Sequence, residues 1–255
     1  MKYKKGDLVT RVSHNHDVVF KIINIVDNTY ILKGIEIRLY ADANEEDLKK
    51  YNQKINFERG IPINDERSND DFFYMPPKIL QLDGDSEFLK RCLNYYKENN
   101  VYAVGKKIKE ENMGYHVINL LKKYQPNILV ISGHDSYNKK SKDTTDIKNY
   151  KNSIYFINAV KEARKYEGDH NKLVIIAGAC QSDYEDLIKA GADFASSPKR
   201  INIHALDPAI IATTLSLTKR TQVVNLLELL NKTKYGPDGI GGIECNGLMY
   251  VGYPR

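Results

Sequence analysis

The chain has 255 residues, 42% of them apolar and 28% charged, with 38 Lys and Arg against 33 Asp and Glu. These proportions suit a soluble globular protein with one sizeable domain, or a large domain and a small one. A net charge of only +5 allows acidic partners but argues for no nucleic acid, and no stretch approaches the roughly 20 apolar residues that span a bilayer.

The opening Met1-Lys2-Tyr3-Lys4-Lys5-Gly6-Asp7 is basic but has no apolar run behind it, so no secretory signal is expected. Residues 7–12, 18–26, 29–33 and 35–40 are short β-rich runs separated by turn signals, among them His14-Asn15-His16-Asp17, Asp27-Asn28 and Gly34. They predict a small SH3-like β-barrel over 1–51. The H-x-H pair His14 and His16 reads as part of a hairpin turn. Residues 43–51 predict a short helix capped by Asn44. From 52 to 75 the chain is polar, with Pro62 and no sustained period, and reads as a linker.

Residues 76–255 alternate between strand and helix. Strands are expected at 78–83, 101–105, 127–133, 172–179 and 192–195. Helices are expected at 85–99, 114–124, 153–166 and 183–190, and the glycine-rich tail 239–253 suggests an edge hairpin. Such alternation implies a parallel sheet covered by helices on both faces. Cys92 falls on the apolar face of the first of these helices and reads as core.

Two apolar runs end in chemistry. Asn127-Ile128-Leu129-Val130-Ile131-Ser132-Gly133 leads straight into His134, and Lys172-Leu173-Val174-Ile175-Ile176-Ala177-Gly178-Ala179 leads into Cys180. Sites of open α/β sheets lie outside the carboxyl ends of the strands, so a base and a thiol are expected at one edge. Gly133, Asp135, Gly178 and Ala179 supply tight backbone and candidate oxyanion donors. Asp183 opens the next helix, and the N-terminus of that helix favours a thiolate at Cys180. His204, in the loop after the following strand, competes with His134 for the role of base. Cys92, Cys180 and Cys245 are an odd number without a C-x-x-C pair, which argues for a reducing compartment and against zinc or a disulfide framework. No cofactor or metal is expected.

Chain order narrows the choice. In class I glutamine amidotransferases the cysteine precedes its histidine. Here the histidine comes first, and the interval with Ala179-Cys180 suits a caspase-like template. That template has a glycine after the histidine, where this chain has Asp135.

The chain resembles the sporulation-specific peptidase family called YabG, of endospore-forming bacteria. The resemblance is carried by Met75-Pro76-Pro77-Lys78-Ile79-Leu80-Gln81-Leu82-Asp83-Gly84-Asp85, by Ile131-Ser132-Gly133-His134-Asp135 and by Ala177-Gly178-Ala179-Cys180-Gln181-Ser182. It is also carried by Gly191-Ala192-Asp193-Phe194-Ala195-Ser196-Ser197-Pro198, by Asn202-Ile203-His204-Ala205-Leu206-Asp207-Pro208, and by Gly241-Gly242-Ile243-Glu244. It spans essentially the whole chain.

The resemblance implies a cysteine endopeptidase that trims spore coat and germination proteins, cuts after a basic residue and can cleave itself. His134 and Cys180 would be its catalytic pair. It would act in the cytoplasm of the sporulating cell and then with the spore coat. A basic preference needs an acidic pocket. Asp193 and Asp207 are the leading candidates, then Asp135 and Asp183, with Ser196 and Ser197 as lining. Arg59 and Arg67 in the linker are candidate self-cleavage sites. Two readings from other classes stay open: a non-catalytic coat scaffold, and an amidohydrolase acting on a small amide.

Overall fold

The structure is a computed structural model that describes residues 2–53, 72–141 and 143–253. The chain divides into two compact units, Met1–Gly60 and Ile61–Arg255. Arg59, Arg67 and most of the polar segment read as a linker lie outside the described residues.

The first unit is a five-stranded antiparallel sheet of β1 (Leu8–Arg11), β2 (Phe20–Val26), β3 (Thr29–Gly34), β4 (Tyr40–Ala43) and β5 (Leu48–Lys50), in the order β4-β3-β2-β1-β5. Asp27 and Asn28 both have positive φ, 46° and 65°, as a two-residue hairpin turn demands. Strand β3 alternates strictly, burying Tyr30 and Leu32, which join Val9, Phe20 and Ile22 in the core. The fourth strand begins where the expected run 35–40 ends.

The helix expected over 43–51 is not formed. Glu45–Asp47 make one 3-10 turn, Asn44 makes no capping bond, and Leu48–Lys50 pair with β1 instead. Pairing along β1 fills backbone groups that a short helix would leave open, and it buries Leu48. His14 and His16 do sit in the turn between β1 and β2, where His16 Nδ1 lies 2.8 Å from Thr10 Oγ1.

The second unit is α/β. It comprises β6 (Phe73–Met75), β7 (Ile79–Asp83), α1 (Ser86–Glu98), β8 (Ala103–Lys107), α2 (Met113–Tyr124), β9 (Ile128–Ser132) and α3 (Ser153–Tyr166). These are followed by β10 (Val174–Ala177), α4 (Tyr184–Lys189), β11 (Phe194–Ser196), α5 (Asp207–Leu217), α6 (Leu226–Asn231), β12 (Ile240–Gly242) and β13 (Tyr250–Gly252). Six strands form one sheet in the order β12-β11-β10-β9-β7-β8, parallel throughout except for β12.

Alternate strand residues feed two cores. Ile79, Val130, Ile176 and Phe194 pack with α1, α5 and α6, while Leu80, Leu129, Ile131 and Ile175 pack with α2, α3 and α4. Burying each such side chain stabilises the fold by about 1.5–3 kcal/mol. No helix among the described residues is long and apolar enough to cross a membrane.

Two features depart from the expectations. Asp207-Pro208 suits a helix start with proline in the first turn, and α5 does begin there, but the length of the helix is not legible, because every residue from Asp207 to Leu217 is buried and its run Ala-Ile-Ile-Ala-Thr-Thr-Leu-Ser-Leu shows no polar face to betray a helical period. The tail makes no hairpin of its own. β12 joins β11 at the edge of the large sheet, whereas β13 pairs with β6 in a separate two-stranded sheet.

Candidate functional site

Strands β9 and β10 are neighbours, and Ile131 pairs with Ala177. That is an offset of 177 − 131 = 46 residues, and the same offset separates His134 from Cys180, 180 − 134 = 46. Both residues therefore leave adjacent parallel strands three positions past the same rung, at the carboxyl edge of the sheet. Gly178 N–H donates to Ile131 O at 3.0 Å and Ser132 Oγ donates to Gly178 O at 3.2 Å, so the two chains stay tied as they leave the sheet.

The cysteine turn is tightly built. Gly178 has φ +108°, and a Cβ there would meet Leu187 Cδ1 at 3.0 Å and Ser196 Cβ at 3.1 Å. Only glycine satisfies both the conformation and the close approach. Ala179 N–H donates to Ser182 Oγ at 2.9 Å. Gln181 has φ +58°; its N–H donates to Ile201 O at 3.0 Å, its Oε1 accepts from Tyr137 N–H at 3.1 Å and its Nε2 donates to Asn202 Oδ1 at 2.9 Å. Cys180 is buried, with Sγ 3.7 Å from Ile203 O. The N–H groups of Gly178 and Ala179 are thus engaged within the scaffold, and of the two roles expected for them, oxyanion donor or tight backbone, the turn uses them in the second.

Asp135 joins the two turns. Its Oδ1 accepts from the N–H groups of Ser136 and Asn152 at 2.8 and 2.7 Å; its Oδ2 accepts from Ser153 Oγ and from Ser182 Oγ, the latter at 2.9 Å. Ser153 Oγ in turn accepts from Asp183 N–H at 2.8 Å. Burial pushes the Asp135 carboxyl up, opposed by these four donors. Its side chain is a strut between histidine loop, α3 and cysteine turn. Asp183 caps α4 through Asp186 N–H at 3.3 Å, and burial raises its carboxyl.

His134 is largely buried, with Phe88 6.3 Å away between ring centres. Its Nε2 lies 3.5 Å from Asp85 Oδ2 and its Nδ1 3.6 Å from Glu110 Oε1, and its backbone N–H donates to Glu110 Oε1 at 2.8 Å. Asp85 caps α1, accepting from Glu87 and Phe88 N–H, while its own N–H donates to Asp83 Oδ1 at 2.9 Å. Asp83 Oδ2 accepts from Gln81 Nε2 at 3.0 Å, and Gln81 Oε1 from Tyr96 OH at 2.8 Å. This buried polar chain runs along β7 to the histidine. Sequence reading missed Asp85 and Glu110. The N-cap pattern at Asp85 was visible, but only the sheet order β9-β7-β8 brings the residues that follow β7 and β8 to the end of β9.

The remaining candidates separate. Ser196 ends β11 beside Gly178 and is buried, and Ser197, at φ +71°, donates its N–H to Gly239 O at 2.7 Å and its Oγ to Ile201 O at 2.7 Å. Asp207 opens α5 just ahead of Pro208, its carboxylate accepting from the N–H groups of His204 and Lys234 at 2.9 and 3.0 Å. Within that turn His204 Nδ1 accepts from Leu206 N–H at 3.1 Å. A lone pair so engaged cannot take a thiol proton, and the neutral ring carries its hydrogen on Nε2.

Asp193 is not with the others. It precedes β11, at the amino end of the sheet, where Arg164 Nη2 and Ile175 N–H each lie 2.6 Å from Oδ2 and His170 Nδ1 lies 2.5 Å from Oδ1. A carboxylate so enclosed is a structural anchor, which corrects its reading as pocket lining.

A mostly parallel α/β sheet that brings the His134 imidazole and the Cys180 thiol out at its carboxyl edge has both where the sites of such sheets form. Comparison with known proteins makes this specific. A family model described as YabG peptidase U57 matches residues 4–63 and 61–254. A Bacillus subtilis (strain 168) protein named sporulation-specific protease YabG is 39% identical over 286 aligned positions, covering 100% of this chain and 99% of the relative. The chain belongs to the YabG peptidase U57 family, a family of sporulation peptidases.

Proposed function

We propose that the protein is a cysteine endopeptidase with Cys180 as nucleophile and His134 as general base, acting during sporulation on spore coat and germination proteins. The observation that carries this reading is the shared register, which gives a thiol and an imidazole the same place on adjacent parallel strands. His134 takes the thiol proton, the thiolate adds to the scissile carbonyl, and the imidazolium gives the proton to the leaving amine; water then hydrolyses the thioester by the reverse sequence. The backbone N–H groups of Cys180 and of the residues beside His134, Gly133 and Asp135, are the candidate oxyanion donors.

The arrangement fits a caspase-like peptidase unit, and the first unit is read as an SH3-like module that recruits substrate. Cleavage after a basic residue calls for a carboxylate near Cys180. With Asp193 turned to the other end, Asp183 and Asp207 are the nearer acids, with Ser196 and Ser197 as lining. Self-cleavage after Arg59 or Arg67 belongs to the same reading, as does later association with the spore coat.

The test is cleavage of an arginine-containing coat-type peptide by wild type, Cys180→Ala, His134→Ala and His204→Ala, with circular dichroism on each. Activity is expected in wild type and His204→Ala and absent in the other two. No cleavage by any of the four would leave the scaffold reading, cleavage retained by folded Cys180→Ala would move the nucleophile elsewhere, and turnover of free glutamine without peptide cleavage would leave the amidohydrolase reading.

A further inference from the structure

His134 stands between two carboxylates that are not equivalent. Asp85 divides its oxygens: Oδ1 caps the first N–H groups of α1 at 2.8 and 3.2 Å, and Oδ2 faces His134 Nε2 at 3.5 Å. Glu110 comes from the 3-10 turn Glu110–Asn112 after β8, outside any helix it could cap, and reaches along the sheet edge to the histidine.

Its path crosses two glycines. A Cβ on Gly84 would lie 2.1 Å from Glu110 Oε1, and a Cβ on Gly133 would lie 2.5 Å from the same atom. Neither glycine has a positive φ, so backbone conformation does not require glycine at either place. What both provide is room for one carboxylate, past the ends of β7 and β9. Glu110 Oε1 then holds His134 twice, accepting its backbone N–H at 2.8 Å and facing Nδ1 at 3.6 Å.

We infer that Glu110 is the positioning residue of the base: it takes the Nδ1–H of His134, so that Nε2, which faces Asp85 Oδ2 at 3.5 Å, is the nitrogen that receives the Cys180 proton. This rests on the assignment of His134 and Cys180 given above. The ring separation of 3.6 Å is long for a hydrogen bond, as orienting contacts often are before substrate arrives. When Nε2 becomes protonated, the imidazolium finds Glu110 at Nδ1 and Asp85 at Nε2. Asp83 stands behind Asp85, and Asp135, the next residue in the chain, is turned to Ser153 and Ser182. Burial pushes the Glu110 carboxyl up, but bonds from the His134 ring and backbone outweigh it and hold the group below its usual range. Glu110 is therefore an anion wherever the base must work.

The test measures kcat and KM separately on the full chain from about pH 5 to pH 9. The variants are Glu110→Gln, Glu110→Asp and Gly84→Ala, with Cys180→Ala and His134→Ala in parallel. Nitrogen NMR of the wild-type imidazole reports its tautomer directly. Glu110→Gln is expected to lower kcat by about 100-fold or more, with KM changed less than about twofold. The acidic limb of kcat/KM moves to lower pH, because the imidazolium loses a counter-charge.

Gly84→Ala pushes the carboxylate aside without touching a reacting atom and should repeat the effect. Glu110→Asp restores part of it, and neutral His134 in the wild type carries its hydrogen on Nδ1. A folded Glu110→Gln with wild-type kcat and acidic limb overturns the inference. If that variant does not fold, an Nε2–H tautomer in the wild type or an unaltered Gly84→Ala overturns it. Activity surviving in Cys180→Ala or His134→Ala overturns the catalytic assignment itself, and the inference with it. Loss in those two alone condemns only Glu110.

Discussion

The two ends of the large sheet carry the same three residue types in opposite arrangements. At the carboxyl end are His134, the acids Asp85 and Glu110, and Cys180. At the amino end are His170, Asp193 and Cys245. Asp193 is enclosed by Arg164, His170 and a backbone N–H, a closed ion pair that leaves the carboxylate nothing further to orient. Cys245 sits near that carboxylate and Glu244; burial, then these two charges, pushes its thiol up to about 12. At the carboxyl end the acids face a histidine, and the thiol stands on a turn forced by Gly178 at φ +108° and Gln181 at φ +58°. Residue type does not make a reactive site. Which end of the strand it occupies, and what neutralises the acid, decide.

The largest effect that would break this contrast is on turnover. Cys180→Ala should lower peptide cleavage by about 10⁴-fold or more, whereas Cys245→Ala should leave kcat unchanged in the same assay. Equal losses in both would dissolve the distinction. Next is thiol chemistry. Cys245 is the least buried of the three cysteines, yet a thiol at about 12 should alkylate about a thousandfold more slowly than an ordinary one near pH 8. Peptide mapping after iodoacetamide treatment should find Cys180 modified first in the native protein, and all three modified alike in urea. Cys245 labelled ahead of Cys180 would reverse the comparison.

Asp193→Ala sharpens the other side. Removing the buried anion strands Arg164, His170 and the Ile175 N–H, at a cost of about 3–5 kcal/mol and a Tm roughly 10 °C lower by calorimetry. Below the transition, kcat and KM on an arginine peptide should match wild type. A raised KM with an unchanged Tm would return Asp193 to the substrate pocket.

Much of the second unit was legible because its signals are local. The runs before His134 and Cys180 are continuous apolar strands, and α3 begins and ends at the residues that the pattern marks. The common exit of His134 and Cys180 was readable because each directly follows a continuous apolar run, and such runs end at the carboxyl edge of a parallel sheet. What failed lacked a local signal. Helix α5 is apolar on every side, so no period showed. The run 43–51 has helical composition, but the open edge of β1 took Leu48–Lys50 as a strand. Asp193 was placed near the cysteine because it is close in sequence, yet a residue before a strand and one after it emerge at opposite edges. Glu110 lies 24 residues before His134 in a polar turn, and its role is visible only once β8, β7 and β9 are in order.

The smallest predicted effect concerns that same residue and is read in stability. Glu110 has a folded-state pKa below its unfolded value, so its stabilising contribution is present above the unfolded carboxylate value of about 4.3 and is lost as pH falls through the folded value. Wild type should therefore be more stable than Glu110→Gln at neutral pH, by about 1.5–3 kcal/mol for a hydrogen bond to a charged group. The difference in Tm should close progressively below about pH 4.3. A difference that is flat from neutral to acid pH would mean that the carboxylate only fills the space over Gly84 and Gly133. One that closes on acidification locates the charge where His134 can use it.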